Sequence, residues 1–120
     1  MITTSEELFN TNTPKVVLNK KQEAIYFSRY PIPFMREIAE ENWHTYHGYF
    51  KHIGIYAYRS ERLSEITKLA VSLLEFTEGL EQLRWIENGF KIKVAITDTE
   101  SQAIDTPEDL EKVLLLLNPD

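Results

Sequence analysis

The run from Phe50 to Tyr58 (FKHIGIYAY) constrains the fold more than any other segment of the chain. Successive side chains of an extended segment point to opposite faces. Ile53, Ile55 and Ala57 therefore line one face, and His52, Gly54, Tyr56 and Tyr58 line the other. The spacing predicts a strand that rests on an apolar core and turns hydrogen-bonding groups the other way. Gly54 in that second face leaves room for a ligand or for another backbone. The same pattern also fits a strand half covered by a loop, its aromatics simply packed.

The flanking segments supply partners for such a strand. Lys15 to Asn19 and Ala24 to Ser28 are rich in β-formers and predict two strands, with the polar Asn19-Lys20-Lys21-Gln22 as a hairpin between them. Pro31 and Pro33 end the second strand, because proline removes a ladder donor. The first 14 residues predict a short acidic turn or helix and then a loop. Phe34 to Gly48 has no clean period and predicts a loop with a helical turn around Glu37 to Glu41. Ser60 suits the N-cap of a short helix carrying Leu63, Ile66 and Leu69. Ser72 suits the cap of a longer one, in which Leu73, Phe76, Leu80, Leu83 and Ile86 recur at helical spacing as one buried stripe. Gly89 stands where a left-handed C-terminal residue belongs. Lys91 to Thr97 alternates as a strand. Thr106 and Pro107 open a last helix to about Leu117, with Leu110, Val113, Leu114 and Leu117 inward.

The order of these elements predicts one α/β domain over residues 1–120: a small mixed sheet with packed helices and a β-hairpin arm extending from the core. The composition is that of a globular chain, with 42% hydrophobic and 27% charged residues. No apolar run is long enough to span a bilayer, and Met1 to Glu7 has neither the basic nor the apolar part of a signal peptide. There is no cysteine, so disulfide and thiolate chemistry are excluded and a reducing cytoplasm is compatible. With 19 acidic and 13 basic residues, the chain lacks the basic surplus of a nucleic-acid binder. An anionic substrate would need local cations or a metal ion.

Three constellations bear on chemistry. His44 and His47, with His52 nearby, invite a zinc reading; no cysteine or suitably spaced carboxylate completes it, and two exposed loop histidines fit as well. Glu78, Glu81, Gln82 and Arg84 flank the apolar stripe and fit ordinary helix-surface pairs, such as Glu81 with Arg84 or Glu78 with Gln82. Asp105 precedes the last helix. If Thr106 caps that helix, the Asp105 carboxylate stays free, which suits magnesium; otherwise Asp105 itself is the cap. No glycine-rich phosphate loop is present.

Four segments occur in one order: Ala24 to Arg29 with Pro31-Ile32-Pro33, His52 to Arg59, Leu80 to Arg84, and Ile104 to Leu110. Together they resemble the C-terminal half of the 3-deoxy-manno-octulosonate cytidylyltransferase (CMP-Kdo synthetase) family, as do Leu8-Phe9-Asn10 and Lys15 to Leu18. The resemblance covers nearly the whole chain. It implies the C-terminal part of a nucleotide-diphospho-sugar-transferase-like fold and transfer of CMP from CTP to Kdo for lipopolysaccharide synthesis. It also implies a cytoplasmic homodimer that uses Mg2+ and inserts in no membrane. Residue by residue, Arg29 resembles the sugar-binding arginine, and His52 and Tyr56 resemble sugar contacts. Glu81 and Gln82 resemble a pair on sugar hydroxyls, and Asp105 the catalytic magnesium ligand. The family's basic N-terminal loop and second magnesium-binding aspartate have no counterpart here, and Leu73 replaces the proline that usually follows the serine. The expected consequence is a region without turnover of its own. A synthetase for another acid sugar and a non-catalytic dimerisation or sugar-binding module are the alternatives.

Overall fold

A computed structural model of the chain describes residues 1–54, 56, 58–98 and 107–117, with the backbone alone for 109, 116 and 117. The first helix, α1 (Ser5–Phe9), opens on Thr4, whose hydroxyl accepts the Glu7 amide at 3.2 Å. The hairpin follows as expected, with β1 (Lys15–Leu18) antiparallel to β2 (Ala24–Ser28). Its turn is made by Asn19, whose side-chain oxygen accepts the amides of Lys21 and Glu23 at 2.8 and 3.0 Å. A third strand, β3 (Phe50–Lys51), pairs with the other edge of β1, so the sheet order is β2-β1-β3 and its pairings are antiparallel.

Register assigns the faces. Val16 stands opposite both Phe27 and Phe50, so these three share one face, packed with Leu80 and Leu83. Lys15 stands opposite Ser28 and Lys51 on the other face. There Lys51 pairs with Glu7 of α1 at 2.8 Å, and the buried Lys15 ammonium donates to Asn10 O just past α1. The hairpin is thus no arm standing off the core. Val16 and Phe27 are buried at its centre.

The expected strand from Phe50 to Tyr58 is cut to two residues. The next residue, His52, donates its amide to Pro14 O at 2.8 Å. Proline has no N–H to return, so the ladder stops there. Ile55 and Ala57 lie outside the described residues. The expected strand from Lys91 to Thr97 reduces to one bridge between Glu23 and Lys93, flanked by Ala24 N donating to Ile92 O and Val94 N to Gln22 O, each at 2.8 Å. Ile92 and Val94 keep the inward alternation, but Ile96 is half exposed.

Beyond β2, a 3-10 turn (Glu40–Asn42) leads into α2 (Trp43–Tyr46), a few residues later than the turn expected around Glu37 to Glu41. Trp43 is buried with Ile2, Leu8 and Tyr49 in a second core and donates its indole N–H to Ile38 O at 2.9 Å. The Tyr49 hydroxyl donates to Pro33 O at 2.8 Å, beside the cis Ile32–Pro33 peptide.

The helical half departs from the expected single stripe. In α3 (Ser60–Ile66), Arg59 holds the cap position and Ser60 is the first helical residue; Leu63 is exposed. Ser72 does cap α4 (Leu73–Glu78), in a reciprocal box with Glu75. That helix ends at Gly79, which adopts φ of 68°, and a separate α5 (Gln82–Glu87) follows. The left-handed residue resets the phase. Leu80 and Leu83 are buried, whereas Leu73 and Phe76 are 73% and 81% exposed and Leu74 packs inward instead. Gly89 is left-handed, as expected. The last helix, α6 (Pro107–Leu117), begins at proline, but Leu110 and Leu114, expected inward, are about half exposed. Asp105 and Thr106 lie outside the described residues.

Candidate functional site

The end of the β3 ladder frees His52 to face α5. Its Nε2 lies 2.7 Å from the Tyr56 hydroxyl and its Nδ1 lies 3.5 Å from the Gln82 amide nitrogen. Gln82 is buried, at the start of α5. An amide nitrogen only donates, so with Gln82 in this orientation Nδ1 accepts and Nε2–H donates to Tyr56. Among the described residues the Tyr56 hydroxyl proton then has no acceptor, which leaves it for a ligand. Rings fix the geometry: Phe27 meets the His52 ring edge-on at 5.0 Å, and Trp85 meets the Tyr56 ring edge-on at 4.9 Å.

Burial lowers the His52 pKa, which keeps the ring neutral and able to accept. Burial also raises the Tyr56 pKa, with smaller contributions from Tyr58 and Glu81, so its hydroxyl stays a donor. His52 and Tyr56 line a cleft of about 730 Å³ together with Phe27, Phe50 and Val94. Glu81 is exposed on the turn just before Gln82, close enough to Tyr56 and Tyr58 to act on both hydroxyls electrostatically.

Arg29 is held differently. Its Nε donates to Glu78 O at 2.8 Å, Nη2 to Gly79 O at 3.0 Å and Nη1 to Thr11 O at 3.2 Å. A guanidinium at the closing carbonyls of α4 is a favourable C-terminal partner. Among the described residues, three of its five N–H donors are engaged, which leaves two for a ligand. The Glu78 carboxylate completes the joint, accepting from Ser28 Oγ at 2.8 Å and Arg29 N at 3.1 Å. Neither expected surface pair forms. Glu78 serves β2 rather than Gln82, and Arg84 forks onto Glu75 at 2.6 and 2.7 Å rather than meeting Glu81. The acid three residues after Ser72 signals the capping box of Glu75 with Ser72, whereas its pairing with Arg84 has no signal in that spacing.

Among the described residues, no hydrogen bond joins Arg29 to the His52–Tyr56–Gln82 set, and no group of three potential metal ligands gathers. His44 is half-buried in α2 with its Nδ1 unpartnered among the described residues, His47 packs edge-on against Tyr49, and His52 is engaged as above. The described side chains alone do not fit a magnesium cage, and Asp105 lies outside them.

A three-stranded antiparallel sheet backed by helices, with a hydrogen-bonded His–Tyr–Gln set at its edge, is the frame of a nucleotide-diphospho-sugar-transferase-like α/β fold. The solved structure of CMP:2-keto-3-deoxy-manno-octonic acid synthetase complexed with CTP superposes with a TM-score of 0.77 and 39% identity, over 98% of this chain and 46% of that one. The family model for cytidylyltransferases matches residues 1–94, and the chain belongs to that family. Among its relatives, 3-deoxy-manno-octulosonate cytidylyltransferase of Parabacteroides distasonis is 59% identical over 92% of this chain and 44% of that protein. The enzyme of the same name from Bacteroides thetaiotaomicron is 61% identical over 87% of this chain and 42% of its own length. The chain thus spans under half the length of the curated relatives it matches.

Proposed function

We propose that this chain is the C-terminal, sugar-binding region of a CMP-Kdo synthetase. The whole enzyme would transfer CMP from CTP to Kdo and release pyrophosphate, in the cytoplasm and as a homodimer, for lipopolysaccharide synthesis. The observation that carries the reading is the hydrogen-bonded set of His52, Tyr56 and Gln82, of which His52 and Tyr56 line one cleft, in a chain 59% identical to a cytidylyltransferase of that specificity.

In this reading the Tyr56 hydroxyl, oriented by neutral His52, and the side chains of Glu81 and Gln82 hold sugar hydroxyls. The two N–H groups of Arg29 that no described residue engages suit the sugar carboxylate. Holding the anomeric hydroxyl in line with the α-phosphorus of CTP supplies much of the rate, because the new O–P bond forms as pyrophosphate leaves. Asp105 is proposed as a magnesium ligand. Asp105 would help to hold such an ion, whose chemistry when bound would be the neutralisation of phosphate charge. The 120 residues alone are expected to have no turnover, because the chain spans under half the length of the enzymes it resembles.

The test is pyrophosphate release with CTP, Kdo and magnesium, on this chain and on the chain joined to a family N-terminal half. Release from the joined protein alone is expected, with Arg29→Ala and His52→Ala raising KM for the sugar and Asp105→Ala removing turnover. Release from neither, with both folded, would overturn the reading.

A further inference from the structure

Arg29 is the first residue past β2, and both of its backbone polar groups are taken up by residues distant in sequence. Its amide donates to Glu78 Oε2 at 3.1 Å, and its carbonyl accepts from the Lys15 ammonium at 2.7 Å. Its guanidinium returns the contact, with Nε on Glu78 O at 2.8 Å and Nη2 on Gly79 O at 3.0 Å. Arg29 and Glu78 thus hold each other twice. The side chain of each takes the main chain of the other.

Nothing in α4 itself calls for an acid at Glu78. It is the last residue of that helix, where unpaired carbonyls disfavour negative charge. Glu75 serves the helical half, in the box with Ser72 and on Arg84. Glu78 turns to β2 instead, and its Oε1 accepts from Ser28 Oγ at 2.8 Å and from the Tyr26 hydroxyl at 3.4 Å. Among the described residues every donor to this carboxylate is a neutral group. The carboxylate therefore sets the course of the chain through Arg29, while the guanidinium settles on the carbonyls that close α4.

We infer that Glu78 is a positioning residue for Arg29. The inference rests on the reading that Arg29 takes the sugar carboxylate. An unheld arginine side chain has to give up its rotamer freedom when it binds; here three hydrogen bonds have already removed it. Each terminal nitrogen keeps one N–H that no described residue engages, and Glu78 holds that pair ready before the substrate arrives. Glu78 itself meets no substrate group and acts through Arg29.

The first test uses the 120-residue chain and needs no activity. Nitrogen-edited NMR should find the Nε–H of Arg29 exchanging about tenfold or more slowly than that of Arg36, whose side chain is 88% exposed. Glu78→Gln should lose most of that protection, because one carboxylate oxygen becomes an NH2 that accepts nothing. The second test uses the chain joined to a family N-terminal half. Glu78→Gln should raise the KM for Kdo about tenfold, with kcat within about twofold and the KM for CTP unchanged. Added to Arg29→Ala, the same change should alter the KM for Kdo by less than about twofold, because the residue it positions is gone. Glu78→Asp keeps both acceptor oxygens at shorter reach and should show the same split at smaller size, which serves if the glutamine variant does not fold. A merely structural glutamate gives the opposite pattern: a raised KM for both substrates, a lower kcat, and an effect that adds to that of Arg29→Ala. That pattern, or equal exchange at Arg29 and Arg36, overturns the inference and leaves the reading of the site standing. A folded parent without turnover, or an Arg29→Ala protein with the parent's KM for Kdo, overturns both.

Discussion

His52 donates its backbone amide to the carbonyl of Pro14 at 2.8 Å, and Pro14 returns nothing. That one-sided contact ends the sheet at Lys51 and turns the following residues toward α5. Pro14→Ala should supply the missing donor and extend the ladder by a pair. The new backbone amide at position 14 should then be protected in hydrogen exchange, and His52 should draw away from Gln82. If that amide exchanges as freely as a loop amide, something else stops the strand.

Gly79 breaks the helical half at φ of 68°, and a Cβ there would meet Arg29 Nη2 at 3.7 Å, an ordinary contact. Gly79→Ala should therefore cost about 1–2 kcal/mol from the left-handed backbone alone. At Gly54 an added Cβ meets nothing within 4 Å, so Gly54→Ala should leave the urea midpoint unchanged. Equal midpoints for both variants would remove Gly79 as the cause of the break.

The reset at Gly79 also predicts a contrast within one apparent stripe. Leu83 is fully buried and Phe76 is 81% exposed. Leu83→Ala should cost about 2–5 kcal/mol, whereas Phe76→Ala should stay within about 0.5 kcal/mol of the parent. Similar losses in urea titrations would restore the continuous helix.

What was legible in the sequence follows the range of the forces involved. The hairpin, the Ser72 cap, the Pro107 start and the left-handed Gly89 are set by neighbours a few residues away, and each is present. The length of β3 is set by Pro14, far off in sequence, so alternation through Tyr58 overran it. Trp43 is placed by Ile2, Leu8 and Tyr49, which share no period with it. Of the candidate site, the polar face carrying His52 and Tyr56 was readable, whereas their joining to Gln82 depends on how α5 packs. Arg29 has no pattern of its own, and its grip on the end of α4 exists only in the folded chain.

Lys15 should make stability rise with pH on the alkaline side. Its ammonium is buried, donates to Asn10 O and Arg29 O at 2.7 Å each, and has no carboxylate acceptor among the described residues. Burial brings its pKa from 10.5 to about 8, with Glu7 opposing and Arg29 adding to the shift. Above pH 8 the unfolded chain holds more protons than the folded one, so unfolding becomes harder as pH rises. The window closes near pH 10, where tyrosines begin to ionise in the unfolded chain and reverse the slope. Urea midpoints from about pH 8 to about pH 9.5 should climb in the parent and stay flatter in Lys15→Met. That variant is also less stable throughout, because two part-buried hydrogen bonds, to Asn10 O and Arg29 O, are lost. Parallel slopes would mean that the ammonium is not what the fold resists.

His52 should act on the acid side. Its pKa lies below the ordinary 6.5 because burial disfavours the imidazolium. A depressed folded pKa gives stability that is present above 6.5 and lost as pH falls toward the folded value, since the unfolded chain takes the proton first. Protonation also makes both ring nitrogens donors, so Nδ1 can no longer accept from Gln82, whereas Nε2–H still donates to the Tyr56 hydroxyl. Urea midpoints should therefore fall more between about pH 7 and about pH 5 in the parent than in His52→Gln, with His44 and His47 common to both and cancelling. The ring-proton titration of His52 should have its midpoint below 6.5. If that midpoint lies at or above the ordinary value, the ring is not held neutral by burial, and the direction assigned to the Gln82–His52–Tyr56 chain fails with it.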